Sequence, residues 1–164
     1  MARRRLTHDP RSAARLAAVQ AIYQMELSGS DAETVTQEFC EHRFQEVGGI
    51  PIGEPNAEFF ADIVNGVPRY QVEIDRAIAA SLAEGWKLQR IDSILRAILR
   101  AGVYELVARR EVPAKVVIDE YLDITHAFFE GEEPGFVNGL LDRVAHRKRA
   151  TEFGETPPND ELRF

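Results

Sequence analysis

Nucleophilic or metal-assisted chemistry needs side chains that converge, and the residues capable of it are scattered along this chain. His8, His42, His126 and His146 never fall into the paired spacing of a zinc site, and the single Cys40 excludes an internal disulfide. His42 and Glu46 stand four apart, a spacing that reads as a solvated helix contact rather than a ligand set. Asp119, Glu120 and Asp123 have the chemistry of a general acid and base, but the polar face of a helix explains such a group more simply. No glycine-rich phosphate loop, nucleophile elbow or Cys–His arrangement is present. The expectation is a protein with no catalytic residue, no metal and no cofactor.

Charge is better organised. The chain has 20 basic and 27 acidic side chains, a net charge of -7, yet residues 1–15 hold Arg3, Arg4, Arg5, Arg11 and Arg15 against Asp9 alone. The acids concentrate in 26–62 and again in 119–133, which has no Lys or Arg. A basic arm on an acidic body suits a protein that touches nucleic acid in one place and a basic partner in another. Arg3 to Arg5 form a flexible arm for phosphates, and Arg11 and Arg15, four apart on a helix, extend that track. Unpaired RNA also needs an aromatic face for its bases, and Phe136, after the polar Glu132-Glu133-Pro134-Gly135 turn, is the candidate. Arg11 and Arg15 are therefore expected to be exposed and to share a surface with Phe136.

The elements that position these groups are all helical. Asp9-Pro10 opens a helix that runs to Ser28-Gly29, with Leu16, Val19, Tyr23 and Leu27 inward. Ser30-x-x-Glu33 reads as a capping box for a second helix, with Val35 and Phe39 inward, ending at Gly48-Gly49, and 48–56 is a loop. Pro55 starts a third whose stripe Phe60, Ile63, Val67, Tyr70, Ile74, Ile78, Leu82 keeps its phase through Pro68, so one long bent helix is expected. A short helical turn follows at Gly85-Trp86-Lys87-Leu88. Asp92 caps an apolar helix with Leu95, Ile98, Leu99, Val103 and Leu106 inward, and Gly102 admits a close neighbour. Pro113 starts the next, burying Val117, Tyr121, Ile124 and Phe128 and leaving Asp119, Glu120 and Asp123 outside, with Gly131 at its end. Pro134 begins the last, which ends in Arg147-Lys148-Arg149.

Seven helices make an all-α fold. Its 164 residues can bury roughly 70% of the unfolded surface. No run approaches the ~20 apolar residues of a membrane span, and Met1-Ala-Arg-Arg-Arg-Leu6 lacks the apolar core of a signal peptide, so a soluble, cytoplasmic protein is expected.

Four runs, Arg15–Leu27 (RLAAVQAIYQMEL), Ile98–Leu106 (ILRAGVYEL), Val112–Glu120 (VPAKVVIDE) and Phe136–Asp142 (FVNGLLD), resemble the NusB family of transcription antitermination factors. The resemblance implies two roughly perpendicular three-helix bundles, about 9–83 and about 84–150, plus one extra short helix. A basic arm at 1–8 and a disordered acidic tail at 151–164 complete the expected layout. It implies an RNA-binding adaptor that pairs with NusE, a small-subunit ribosomal protein. Together they bind boxA-like single-stranded RNA within the RNA polymerase antitermination complex, notably on ribosomal RNA operons. By position the RNA-binding residues become Arg3, Arg4, Arg5, Arg11, Arg15 and Phe136, with Arg100 and Arg143 as secondary candidates. Asp119, Glu120 and Asp123 fall to the partner, and Asn138 and Gly139 to close helix packing.

The chain departs from the family pattern in three places. Leu6–Pro10 separates the arm from helix 1, Ser12 and Ala13 stand where arginines are frequent, and the turn before Phe136 has no lysine. These shift RNA affinity from the lone chain, monomer or homodimer, to the complex. A protein-interaction adaptor that keeps the bundle without RNA affinity is the alternative. The helical domain of a ribosomal RNA methyltransferase shares the fold, but this length leaves no room for a cofactor-binding domain.

Overall fold

Asp9 opens the first helix, α1 (Pro10–Ser28): its carboxylate accepts from the N–H groups of Arg11 and Ser12 at 2.9 and 3.0 Å. The computed structural model describes residues 9–44, 46–47, 50–51, 54–83 and 85–156, so Arg3, Arg4, Arg5 and residues 157–164 of the expected tail lie outside the described residues. Helix α1 stops at Gly29, whose φ of 73° is the left-handed conformation that only glycine adopts cheaply. Leu16 and Val19 are buried and Tyr23 half-buried, but Leu27, expected inward, is exposed because the stripe leaves the core beyond Tyr23.

The second helix, α2 (Ala32–Glu38), is capped by Asp31, which accepts from the Thr34 N–H at 2.8 Å, and not by Ser30, whose hydroxyl is engaged with Ser28. It passes into a π-helical turn, Phe39–Arg43, so the helix is shorter than the glycine pair suggested. A two-residue antiparallel pairing, β1 (Glu46–Val47) with β2 (Ile50–Pro51), stands where the second helix was expected to end and the loop to begin. Helix α3 (Ala57–Arg69) takes Asn56 as its cap, and Pro55 precedes it.

The long stripe is divided. Helices α3 and α4 (Gln71–Ser81) meet at Tyr70, with φ -112° and ψ 22°, so there are two helices rather than one bent one. Pro68 supplies the reason: it has no N–H and its ring crowds the carbonyl four residues back. Hydrogen bonds from Tyr70 N–H to the Gly66 carbonyl (3.1 Å) and from Ile74 N–H to the Tyr70 carbonyl (2.9 Å) carry the path across the junction. Phase is retained, and Phe60, Ile63, Val67, Ile74 and Ile78 are all buried.

Residues Leu88–Arg90 form a 3₁₀ turn, which starts three residues later than expected and overlaps the expected one at Leu88. Asp92 then caps α5 (Ser93–Ala108), accepting from Ile94 and Leu95. This helix is the hub: it packs against α1, α3 and α4 and against the last two, α6 (Ala114–Phe128) and α7 (Glu133–Lys148). Apolar residues are buried around most of its circumference, as a helix enclosed by others requires. A Cβ on Gly102 would lie 3.1 and 3.2 Å from the Leu141 methyls, which explains the absent side chain where α5 meets α7. Helix α6 starts one residue after Pro113 and ends three before Gly131, with Phe128 only half-buried. A single apolar cluster runs from Ala13 to Ala145.

The end of α7 does not point its charges to water. Arg149 is buried, and its guanidinium donates to the carbonyls of Glu105 (3.3 Å), Leu106 (2.6 Å) and Arg109 (3.0 Å), the unsatisfied end of α5. A turn at Ala150–Phe153 follows, where disorder was expected, and its Glu152 carboxylate accepts from the Ala114 N–H at the start of α6. Helix α6 has no other side-chain cap, because Pro113 precedes it.

Close approach at Gly66 yields a direct test. A Cβ there would stand 2.2 Å from carbons of the Tyr104 ring, which is pinned by a 2.8 Å hydrogen bond to Asp62. Gly66→Ala should destabilise the protein by ~1–3 kcal/mol, read as a lower urea midpoint, and Gly66→Ala with Tyr104→Leu should recover part of the loss.

Candidate functional site

Arg15 is not exposed. It lies on the Ser12–Leu16–Val19 side of α1, and its Nε donates to both Glu105 carboxylate oxygens at 3.0 and 2.9 Å while Nη2 donates at 2.6 Å. Glu120, expected to face a partner, is also buried: Ser12 donates to it at 2.8–2.9 Å and Arg15 Nη1 lies 3.6 Å away. Its place three residues after Val117 and four before Ile124 puts it on the inner face of α6. Burial disfavours the charge on Arg15, but hydrogen bonding and attraction from Glu105 outweigh it and raise its pKa. The neighbouring Tyr121 hydroxyl is pushed well above the tyrosine range by burial and by Glu105. This network joins α1, α5 and α6.

Arg11, one turn earlier, is the exposed member of the pair. The guanidinium carbons of Arg11, Arg15 and Arg109 lie 4.7, 4.9 and 4.8 Å from the centroid of the buried Phe59 ring. That geometry is favourable for cations on an aromatic ring and fixes Arg11 at the surface end of the cluster. Arg109 is further engaged by Asp62 at 3.3 Å and Glu111 at 2.9 Å.

Phe136 lies elsewhere. It is half-buried at the start of α7 and lines a groove of ≈ 380 Å³ with Trp86, Arg90, Asp92, Leu95 and Phe129, among others. Asp92 and Leu95 belong to the start of α5, whereas Glu105, which holds Arg15, is near its end. Ten to thirteen residues at ~1.5 Å per residue separate the two regions by about 15–20 Å. The structure therefore does not bring Phe136 and Arg15 together.

The secondary cations divide as well. Arg100 makes a two-pronged contact with Asp75 at 2.9 and 3.0 Å and reaches Glu26, tying α5 to α4 and α1 in a structural ion pair. Arg143 is exposed and donates to the Ser81 carbonyl at 3.0 Å. Gly139 is not a packing glycine, since a Cβ would meet only Arg143 Nη1 at 3.3 Å, and Asn138 is exposed. Asp119 and Asp123 are half-buried on the flank of α6. Among the described residues no group could hold a metal ion, and no helix is long and apolar enough to cross a membrane.

Sequence reasoning missed Trp86. It is 58% exposed, and its ring lies 6.0 Å from that of Phe136 with a tilt of 36°. An isolated tryptophan beside Gly85 in a short turn has no period to betray its direction. Exposure of so large an apolar ring was the only available signal, and that is a structural fact.

Burial separates Arg11 from Arg15 experimentally. Arg15→Met should cost ~3–5 kcal/mol in urea unfolding by stranding Glu105, whereas Arg11→Met should cost no more than ~1 kcal/mol, the worth of an exposed cation–aromatic contact, and flatten the log–log salt dependence of RNA binding by about 0.7. Tyr121 and Tyr104, both raised above 10, must stay protonated in the folded state. Their contribution is complete below about pH 10 and is lost as pH rises through the folded values, so thermal melts should fall above that pH, less steeply in Tyr121→Phe.

The NusB family model matches residues 12–146. The transcription antitermination protein NusB of Caulobacter vibrioides is 52% identical over 142 residues, 86% of this chain and 95% of the relative. That of Nitrobacter hamburgensis is 54% identical over 144 residues, 87% and 90% of the two chains. Among solved structures, T. maritima NusB superposes with a TM-score of 0.72 at 29% identity, over 88% of this chain and 97% of that one. NusB in a crystal structure of antitermination factors NusB and NusE in complex with dsRNA shares the fold, with a TM-score of 0.66 at 23% identity over 82% and 94%. With a fold shared over 88% of its length and a sequence matched from residue 12 to residue 146, the chain belongs to the NusB family.

Proposed function

We propose that this chain is an RNA-binding transcription antitermination factor that pairs with NusE to bind boxA-type nascent RNA and promote read-through, notably of ribosomal RNA operons. It is a cytoplasmic regulatory factor and not an enzyme. The observation that carries this reading is 52% identity to an antitermination protein over 95% of that relative's length. The distribution of charge supports a shared RNA surface. Arg15 and Arg100 are consumed by carboxylates inside the fold, which leaves Arg11, Arg143 and the 1–8 arm as its cations from the expected set. So few phosphate contacts give weak, salt-sensitive binding by the lone chain. A basic partner docked on the acidic side supplies the remainder, and Asp119 and Asp123 are the groups assigned to it, without Glu120.

Binding of labelled boxA-type RNA with and without NusE at defined salt tests the reading. NusE should raise RNA affinity, and by linkage RNA should raise NusE affinity by the same factor, about 5- to 150-fold for a typical coupling. Asp119→Lys with Asp123→Lys should slow NusE association and remove the enhancement while leaving the lone chain's RNA affinity nearly unchanged. Equal RNA affinity with and without NusE would refute the shared surface.

A further inference from the structure

Resting on the RNA-binding reading above, we infer that Trp86, backed by Phe136, is the platform on which this chain stacks one unpaired base of its RNA. Phe136 is half-buried and packs against the core, whereas Trp86 beside it is 58% exposed. A base sandwiched between two rings needs about 7 Å, twice the stacking rise of about 3.4 Å. The rings stand 6.0 Å apart and tilted by 36°, so no base fits between them. The open face is the outer face of the indole. A base laid there extends a stack that Phe136 begins and the fold anchors. Phe136 is thus a positioning residue, and Trp86 is the group that touches RNA.

The charges around the groove agree with that direction. Asp92, Glu132 and Glu133 line it and repel phosphate, so a backbone cannot run along its floor. Arg90 lines the same groove, and Lys87 follows Trp86 directly; both are exposed. Phosphates belong on that side, with the uncharged base turned inward over the indole. Stacking on an aromatic is tolerant of base identity, so this platform supplies affinity and register rather than sequence choice.

Trp86 is the sole tryptophan of the chain, so its own emission reports the contact. The full-length protein with NusE is titrated with end-labelled boxA-type RNA, following indole emission and RNA anisotropy together, with Trp86→Phe as the blank for any emission from NusE. Quenching should saturate at the Kd given by anisotropy, and one abasic position in the RNA should abolish it while keeping every phosphate. Trp86→Ala should weaken binding by about 5- to 100-fold and Trp86→Phe should restore most of it, at a site exposed enough that neither variant perturbs the core. Phe136→Leu should weaken binding in the native background and add nothing to Trp86→Ala, whereas additive losses would mean that Phe136 contacts RNA itself and overturn its positioning role. RNA binding with unchanged indole emission overturns the platform and leaves the proposed function standing. Quenching by NusE alone, with no further change on adding RNA, overturns it in favour of a protein contact. Failure of the complex to bind RNA at all removes the RNA reading, and the platform with it.

Discussion

A helix enclosed by its neighbours must find a partner for every charge it carries, and α5 carries Arg96, Arg100 and Glu105 into the centre of this protein. Helices α1 and α4 and the turn before α5 supply the partners. Arg96 donates to the Leu88 and Ile91 carbonyls and to Glu26, Arg100 pairs with Asp75, and Glu105 receives Arg15. An unpaired charge at such depth would cost several kcal/mol, so these contacts fix which faces of α1 and α4 can meet α5. Apolar packing supplies the bulk of the stability. The buried ions make other rotations of α1 and α4 on the hub expensive.

That constraint determines what remains at the surface. Arginines that look alike in the sequence, Arg11 and Arg15, have opposite fates because one lies a single turn nearer the open end of α1. The charge blocks read from the sequence are therefore partly internal: Arg15, Arg100, Glu105 and Glu120 neutralise one another or their neighbours and present little to a ligand. Of the expected RNA-binding arginines among the described residues, Arg11 and Arg143 remain exposed.

Much of the fold was legible because helical burial repeats every three or four residues. The stripes through Ile63, Ile98, Val117 and Leu140 needed only that rule. Boundaries set by local chemistry were less so: Asp31 outcompeted Ser30 as a cap, and Pro68 divided a stripe whose phase survived. The site was harder to read. Periodicity in fact placed Arg15 between Ser12 and Val19, and Glu120 between Val117 and Ile124, on inner faces. Charged side chains are ordinarily solvated, but a buried carboxylate and a buried guanidinium explain each other once α1 and α6 meet. Such a meeting spans about a hundred residues and leaves no local trace. Trp86 was illegible for the opposite reason, since a turn has no face to assign.

Arg149 and Glu152 complete the facing ends of α5 and α6, more than three dozen residues upstream of themselves. Synthesis runs from the N-terminus at about 5–20 residues per second, so the hub helix emerges and gathers its neighbours while its final carbonyls still wait for their donor. The turn at Ala150–Phe153 thus seals a helix pair made well before it. The hub is therefore finished from outside, by residues that follow the span 12–146 shared with the family.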